Sequence, residues 1–382
     1  MDKVKNILNL VLGFINKVKV WRIVALVVVV ALLYQVLTSV MMCSVVLDWN
    51  KLSKSPQAQQ IIIKDLSTQD YKDWLSEKAG DDYIENDGLK LHALSIMNKG
   101  QSHSYIIMLH PATCSAVDMA QFAYHFYDLG FNVLLPDARG CGESEGNNLT
   151  FGIDDARDVP LWVNKIIELD PDAVIFLYGL GMGGSAVTVA AGEQLPANVK
   201  GVIEDSGYND LEAVFKHNIK NLYNKSSFPA LAIAKIYAKS VKGWSYDAPL
   251  VEESVKEIKI PILFIHGGDD KIVPVDQSND LYEACRGKGS DHLYMTGAAH
   301  CRGMHTDSVK YWRSVDEFIL TIWNDCRLVL WQFLSVKCVV AILRCRITNQ
   351  LLSANIATHG KHFQGLITRR SLHCLPVPII FV

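Results

Sequence analysis

The pattern of apolar and polar positions first sets apart one long apolar run near the N-terminus. No charged residue occurs between Ile23 and Leu47. A helix needs about 20 such residues to cross the hydrocarbon core of a bilayer, whereas the apolar part of a cleaved signal peptide has roughly 7–15. The run therefore predicts a membrane-spanning helix over residues 23–47.

The charges before this run predict its orientation. Residues 1–22 carry one acid, Asp2, and five basic residues, which are Lys3, Lys5, Lys17, Lys19 and Arg22. Because basic flanks stay on the cytoplasmic side, we expect residues 1–22 in the cytoplasm and the chain after Asp48 outside. This predicts a single-pass plasma-membrane protein with an extracellular domain. Residues 48–86 are polar and helix-prone, and we expect them to form a stalk.

From residue 87 to residue 325, short apolar runs alternate with helical periodicity. The predicted strands are Leu89–Met97, Tyr105–Leu109, Asn132–Leu135, Ala173–Tyr178, Val199–Glu204, Pro261–Ile265 and His292–Met295. The predicted helices are Ser115–Leu129, Asp154–Leu169, one that begins at Met182, and Ser308–Ile322. This alternation predicts an α/β fold with a mostly parallel central sheet and helices on both faces.

Two segments depart from the alternation. Residues 213–246 contain six lysines and no acid among aromatic and aliphatic residues, which predicts a small helical insert. Its basic face is either solvated or turned towards a membrane surface or an anionic, acylated ligand. Residues 326–382 form a basic tail in which no acid follows Cys326. The tail is an amphipathic or disordered addition, a second span interrupted by Lys337, or an out-of-frame extension.

Composition narrows the kinds of partner and cofactor. The formal net charge of the 382 residues is −3, which gives no reason to expect nucleic acid as a partner. The nine cysteines have no C-x-x-C spacing of the kind that zinc sites use. The cysteine spacing therefore gives no indication of a zinc site.

The stretch from Ala173 to Ala186 carries the most specific chemical signal. It combines a strand, a glycine-rich turn and the start of a helix, the setting of the G-x-S-x-G nucleophile elbow. Here the five residues are Gly179-Leu180-Gly181-Met182-Gly183. The position of the nucleophilic serine is thus Gly181, which has no side chain.

Acids and then a histidine follow the elbow, which is one of the chain orders that Ser-His-Asp triads use. The segment 265–274 (IHGGDDKIVP) follows a predicted strand and offers two neighbouring acids, Asp269 and Asp270. The segment 296–300 (TGAAH) follows the next strand and offers His300 as the base. Because both segments follow strands of one sheet, we expect an acid and the histidine to meet at the same edge.

Together with the segments 109–113 (LHPAT) and 137–144 (DARGCGES), these motifs resemble the α/β-hydrolase superfamily from about Tyr83 to Ile322. The chain is most similar to membrane-anchored bacterial cell-surface hydrolases. The resemblance implies hydrolysis of carboxylic ester, thioester or amide bonds by a Ser-Asp-His mechanism without a cofactor. It assigns the triad positions to residues 181, 270 and 300, and it makes 213–246 a cap over the site.

The resemblance also implies the surroundings of the reacting carbonyl. The oxyanion would receive the N–H groups of Ala112 and Met182. A small acyl-containing substrate or ligand would bind near His110, Cys141 and the cap.

Three departures from the family pattern fall at the chemistry. Gly181 removes the nucleophile, Pro111 replaces a glycine of the oxyanion loop, and Cys141 replaces a histidine. We therefore expect impaired esterase-like activity. The alternative is a pseudohydrolase, a tethered domain that binds a ligand or acts as a scaffold.

Three other interpretations of the same residues stay open at this point. Ser185, one turn into the helix, is a packing residue or a displaced nucleophile. Cysteines in the predicted loops, with His300, could supply a thiolate or a soft metal site; they are Cys114, Cys141 and Cys301. The spacing Gly179-x-Gly181-x-x-Gly184, with Glu204 ending the next strand, also imitates a dinucleotide fingerprint.

Overall fold

A computed structural model describes the chain over residues 20–48, 65–99, 102–193, 195–224, 226–244, 251–285 and 289–323, with residue 51 and some positions of 5–13. The eight strands form one sheet in the order β1-β2-β4-β3-β5-β6-β7-β8. They are β1 (Gly80–Asn86), β2 (Leu89–Ile96), β3 (Ser104–Leu109), β4 (Asn132–Pro136), β5 (Val174–Leu180), β6 (Val199–Asp205), β7 (Ile262–Gly267) and β8 (Asp291–Met295).

Helices precede the sheet and connect its strands. They are α1 (Val20–Val46), α2 (Gln69–Lys78), α3 (Ala120–Asp128), α4 (Val159–Leu169), α5 (Met182–Gly192), α6 (Leu211–Tyr223), α7 (Ala230–Val241), α8 (Val251–Glu257), α9 (Val275–Cys285), α10 (Gly303–Thr306) and α11 (308–323). The predicted α/β architecture with a mostly parallel sheet and an N-terminal apolar helix is confirmed.

Strand direction explains where a site can form. Strands β3 to β8 are mutually parallel, β2 pairs antiparallel with β4, and β1 pairs antiparallel with β2 at the edge of the sheet. The chain runs from β3 to β4 on one side and then returns to β5 on the other side of β3. Such a reversal opens a crevice at the carboxyl ends of the two strands, where the loops after β3 and β5 diverge.

Alternating residues of the central strands bury the sheet on both faces, as side chains of a strand point alternately to opposite sides. Ile107 and Leu177 belong to the core cluster that includes Trp162 of α4. Tyr178, the next residue, packs on the other face, where its ring centroid is 5.8 Å from that of Phe122 in α3. The two layers hold the strand ends, and therefore the loops of the site, in fixed positions.

The structure differs from the predicted stalk. Residues 65–86 belong to the domain, since β1 pairs along its whole length with β2 and α2 packs on α3. The ring of Trp74 lies 5.0 Å from that of Tyr124, and Leu75 beneath it is buried. The polar sequence was misread because one face of α2 and of the edge strand is solvated. Residues 49, 50 and 52–64 of the predicted stalk lie outside the described residues.

Other boundaries also differ from the predictions. The apolar helix begins at Val20, three residues earlier than expected, and the insert begins with α6 at Leu211. The helices α8 and α9 were not predicted because their burial depends on packing against neighbouring helices and strands. Residues 245–250, which include the end of the insert, and the whole tail 326–382 lie outside the described residues.

Truncating Leu75 tests whether α2 belongs to the folded domain. Leu75 is 1% exposed, so Leu75→Ala is expected to lower the free energy of unfolding by about 2–5 kcal/mol. The matched control is Leu169→Ala, at a position 72% exposed, which is expected to change it by less than about 0.5 kcal/mol. Thermal unfolding of the full chain in detergent measures both. Equal, small shifts would restore the stalk interpretation.

Candidate active site

The turn between β5 and α5 has the geometry of a nucleophile elbow. Gly181 has φ +57° and ψ −119°, a backbone conformation that side-chain-bearing residues adopt only under strain. A Cβ on Gly179 would lie 2.1 Å from the Gly183 carbonyl oxygen, and one on Gly183 would lie 2.3 Å from the Leu109 carbonyl oxygen. Both flanking positions therefore require glycine, because the turn brings backbone against backbone.

The acid and the histidine meet beside this turn. The Nδ1 atom of His300 lies 2.7 Å from Oδ2 of Asp270. The other carboxylate oxygen of Asp270 accepts the backbone N–H groups of Ile272 (2.8 Å) and Val273 (2.9 Å). These bonds fix the carboxylate, which in turn orients the imidazole with Nε2 towards the elbow. Asp269 is exposed, in keeping with the choice of Asp270 over it.

A second histidine supports the same carboxylate. His266 Nε2 donates to the Val273 carbonyl oxygen (2.9 Å) and lies 3.4 Å from Asp270 Oδ2. Burial opposes the ionisation of Asp270, but the charge at His300 and the hydrogen bonds from His266 and His300 outweigh it. They hold the pKa of the Asp270 carboxyl well below its usual range. His266 was missed as a contributor, although it stands in the quoted acid loop at the end of β7.

The loop after β3 presents a backbone N–H to the same space. His110 accepts the N–H of Ala138 at Nε2 (3.0 Å), so its Nδ1–H donates to the Pro111 carbonyl oxygen (2.9 Å). The N–H of Cys114 also donates to the Pro111 carbonyl oxygen (3.2 Å). Since the peptide unit is planar and trans, fixing the Pro111 oxygen also fixes the Ala112 N–H in the opposite direction.

A cavity of about 220 Å³ lies over these groups. Ala112, Gly181, Met182 and His300 line its inner end. The two residues expected to be near a substrate are not among its lining: His110 lies behind the loop that it holds, and Cys141 packs against Met182. Their role in the structure is to support the floor of the cavity.

The atoms around position 181 show what a side chain there would contact. A Cβ built on Gly181 would lie 3.5 Å from His300 Nε2, so a hydroxyl attached to it would come within hydrogen-bond reach of that nitrogen. The same Cβ would lie 3.0 Å from Pro111 Cβ and 3.1 Å from Cys301 Sγ. Position 181 thus has the location of a nucleophile relative to His300, and the atoms around it leave little room for a side chain.

The other candidate nucleophiles lie in structural roles. Ser185 is buried in α5, where its Oγ accepts the Tyr208 N–H (2.8 Å) and donates to the Tyr208 carbonyl oxygen (3.1 Å). The cysteines Cys114, Cys141 and Cys301 are buried thiols, and burial raises the pKa of each well above its usual value. Within the described ranges, no group of three or more His, Cys, Asp and Glu side chains is arranged to hold a metal ion.

The dinucleotide interpretation does not fit the position of Glu204. This residue is fully buried beneath α5, and its Oε1 accepts the Gly207 N–H. Burial raises the pKa of its carboxyl to about 7. A carboxylate that must accept a ribose hydroxyl has to reach the solvent crevice, and Glu204 does not.

Replacing Asp270 tests the electrostatic description of the pair with His300. Because the folded pKa of Asp270 is depressed, its stabilisation is fully present above the unfolded pKa of about 3.9 and is lost as the pH falls towards the folded value. Asp270→Asn is expected to cost about 3–5 kcal/mol of unfolding free energy at pH 7, and less below pH ~4. Thermal unfolding across this pH range measures the difference. Asp269→Asn, the exposed neighbour, is expected to have no effect; equal losses in both variants contradict the assignment.

The accessibility of the buried thiols gives a second test. Because thiolate is the reactive form, Cys141 and Cys301 are expected to react with iodoacetamide at pH 8 at least ~100-fold more slowly in the folded chain than in urea. Mass spectrometry of the alkylated peptides measures the rates. Rapid alkylation of Cys301 in the folded chain would revive the thiolate interpretation.

Comparisons with known proteins agree with this geometry. Residues 100–208 match the family model described as Serine aminopeptidase, S33, and residues 207–301 match the model described as Serine hydrolase (FSH1). The two matches adjoin, and together they contain the elbow, Asp270 and His300.

Sequence similarity to individual proteins agrees with these family matches. The uncharacterized protein YqkD of Bacillus subtilis is 27% identical over 56% of this chain and 70% of its own. Lysophosphatidylserine lipase ABHD12 of Danio rerio is 25% identical over 48% of this chain, which spans only 47% of that protein.

The fold also matches a solved structure. The Pyrococcus furiosus esterase Pf2001 superposes with a TM-score of 0.55 at 23% identity, over 65% of this chain and 93% of that chain. At this identity the likeness supports the fold alone. With one serine-hydrolase model matched across the elbow and the other across Asp270 and His300, the chain belongs to the α/β-hydrolase superfamily.

Proposed function

We propose that this protein is a membrane-tethered domain that binds an acyl ester on a serine-hydrolase scaffold and that, as it stands, hydrolyses it poorly or not at all. The observation that carries this proposal is the position of Gly181. Its backbone is held as the elbow of a nucleophile, 3.5 Å from His300 Nε2 measured from a built Cβ, and it carries no oxygen.

The chemistry available to the site follows from its groups. In a serine hydrolase, the hydroxyl attacks the carbonyl carbon while the histidine takes its proton, and the carboxylate stabilises the resulting imidazolium. Here Asp270 and His300 retain the base and its orienting acid. Without a hydroxyl at position 181, no acyl-enzyme forms, and the covalent step is lost.

Binding does not depend on that hydroxyl. The N–H groups of Ala112 and Met182, proposed as the oxyanion donors, would still orient an ester carbonyl at the inner end of the cavity. The apolar lining above them would hold the hydrocarbon part of the ligand. This combination favours a ligand-binding pseudohydrolase over an active esterase, and the family kinship with a lysophosphatidylserine lipase supports an acylated ligand.

We further propose that α1 is a membrane anchor, with residues 1–22 in the cytoplasm and the hydrolase domain outside the plasma membrane. The charge asymmetry across the helix supports this orientation. Contacts with the domain support an anchor that stays attached, since Leu149 N–H donates to the Leu47 carbonyl oxygen (2.8 Å) and Cys43 Sγ to the Ala234 carbonyl oxygen (3.5 Å).

The cap, defined by α6 and α7, is less basic than its sequence indicates. Glu212, one residue before the segment without acids, pairs with Lys216 (2.7 Å) and Lys235 (3.2 Å). Exposed lysines further along the cap include Lys220 and Lys239. A contact with an anionic surface would therefore rest on the later part of the cap.

Restoring the nucleophile tests the proposal. Gly181→Ser is expected to gain labelling by a fluorophosphonate probe and to hydrolyse p-nitrophenyl acetate at least ~10³-fold faster than the native chain. The serine must adopt a positive φ, so a loss of about 1–3 kcal/mol in stability accompanies the gain. Both activities are measured on the full chain in detergent.

Matched variants separate the chemistry from the strain. Gly181→Ala carries the same backbone cost without the oxygen and is expected to stay inactive, and His300→Ala is expected to abolish the activity of Gly181→Ser. If crowding by Pro111 blocks the new serine, Pro111→Gly in that variant is expected to release it. Native labelling that disappears in Ser185→Ala would overturn the assignment of position 181.

A further inference from the structure

The cavity over the elbow has one wall that does not come from the hydrolase domain. The last two turns of α1 and the residue that follows it contribute Ser39, Met42, Cys43, Val46 and Leu47 to its lining. Ser39, Cys43 and Leu47 are spaced four residues apart, lie on one face of the helix and are buried. The helix therefore completes the cavity instead of merely tethering the domain.

The opposite wall comes from the cap. Leu211, Val214 and Phe215 of α6 line it, as do Leu231 and Ala234 of α7. The cavity thus runs between the N-terminal helix and the cap and ends at the elbow. A ligand that fills it would contact α1 at one end and position 181 at the other.

Two polar side chains along this passage, those of Ser39 and Asn218, already have hydrogen-bond partners. The Ser39 hydroxyl donates to the Gln35 carbonyl oxygen (2.7 Å) within α1. The Asn218 amide donates to the carbonyl oxygens of Val214 and Ile272, each at 2.9 Å. These groups leave little for a polar ligand to bind, which favours a hydrocarbon chain in the passage and an ester group at its inner end.

The length of α1 places the mouth of the cavity relative to a membrane. Residues 20–38 are almost all exposed and, at 1.5 Å per residue, span about 28 Å, close to the ~30 Å of a hydrocarbon core. The next residues are those that line the cavity. Met42 lines it and is nonetheless 41% exposed, so the cavity opens beside α1 where the helix leaves the bilayer.

Apolar side chains of the cap continue the same surface. Phe228, Ile236 and Val241, in and beside α7, are each more than 60% exposed, and α7 is the cap helix that packs on α1. Large exposed apolar groups next to a membrane helix are typical of a segment that dips into the lipid interface. The opening next to α1 is therefore bordered by lipid-compatible surface on the cap side as well.

From these observations we infer that the last two turns of α1 form a wall of an acyl-chain channel, and that the hydrocarbon chain of a bilayer lipid enters it sideways between α1 and the cap. The inference rests on the proposed function, in which α1 spans the membrane and the cavity binds an acyl ester. It adds the source of the ligand, the bilayer, and a specificity-determining residue, Met42, at the mouth.

Photocrosslinking from vesicles tests the route. The native full chain is reconstituted in phosphatidylcholine vesicles that contain a trace of lysophosphatidylcholine with a diazirine near the end of its acyl chain. After irradiation, mass spectrometry quantifies crosslinks on α6 at Val214 and Phe215, which line the cavity. Crosslinks there are expected in the native chain, and Met42→Trp, which fills the mouth, is expected to reduce them at least tenfold.

Two further variants control for indirect effects. Leu37→Trp adds the same bulk to the same helix at a position 58% exposed and is expected to leave the α6 crosslinks unchanged. Met42→Ala widens the mouth and is expected to preserve or increase them. Crosslinks that persist in Met42→Trp, or that fall equally in Leu37→Trp, overturn the inference.

A probe in water separates this inference from the proposed function. A short-chain diazirine ester is offered in detergent solution to the native chain. If it labels α6 while the vesicle lipid does not, the cavity takes its ligand from water, and the bilayer route is wrong although ligand binding stands. If neither probe labels α6, the proposed ligand-binding function fails as well.

Discussion

The site depends on one steric constraint, the contact of α5 with the ends of β3 and β5 at a distance that excludes side chains. A Cβ at Gly179 or Gly183 would lie within 2.3 Å of a backbone carbonyl oxygen. Because the helix starts so close to the sheet, the residue between them, Gly181, is pushed into a positive φ and projects towards the cavity. The same closeness brings the Met182 backbone next to the loop that carries Ala112, so the proposed donors and the nucleophile position are set by a single backbone turn.

That constraint also explains why a glycine at position 181 is compatible with an intact site. A serine there costs conformational free energy that the fold must supply, and glycine removes this cost. The supporting groups do not rely on the missing side chain: His300 is held by Asp270, Asp270 by His266 and two backbone N–H groups, and the oxyanion loop by His110. The surrounding geometry is therefore in place without a side chain at position 181, which is the physical basis for the proposed binding without turnover.

The sequence was sufficient for the features that are local or that follow from strand order. Asp270 and His300 could be paired because each follows a parallel strand and the carboxyl ends of such strands share one edge. Gly181 could be identified because glycines flank it between a strand and a helix. By contrast, β1 and α2 were assigned to a stalk because each exposes a polar face. Their apolar residues are buried only by packing against β2 and α3, which the local sequence does not reveal. The tautomer of His110 and the support from His266 depend on hydrogen bonds between loops that are distant in sequence.

The contacts of α1 with the domain are the clearest example of packing that the sequence alone does not predict. A long apolar run predicts a membrane span by its length alone, and nothing in such a run separates residues that face lipid from residues that face protein. Ser39, Cys43 and Leu47 are buried against the domain, which the apolar character of the run did not indicate. With α1 in the bilayer as proposed, these contacts couple helix length to cavity position: lengthening α1 before Ser39 would move the mouth away from the bilayer, and shortening it would draw the cap into the interface. The proposed anchor and the proposed ligand site are therefore parts of one structure, and a change in one is expected to affect the other.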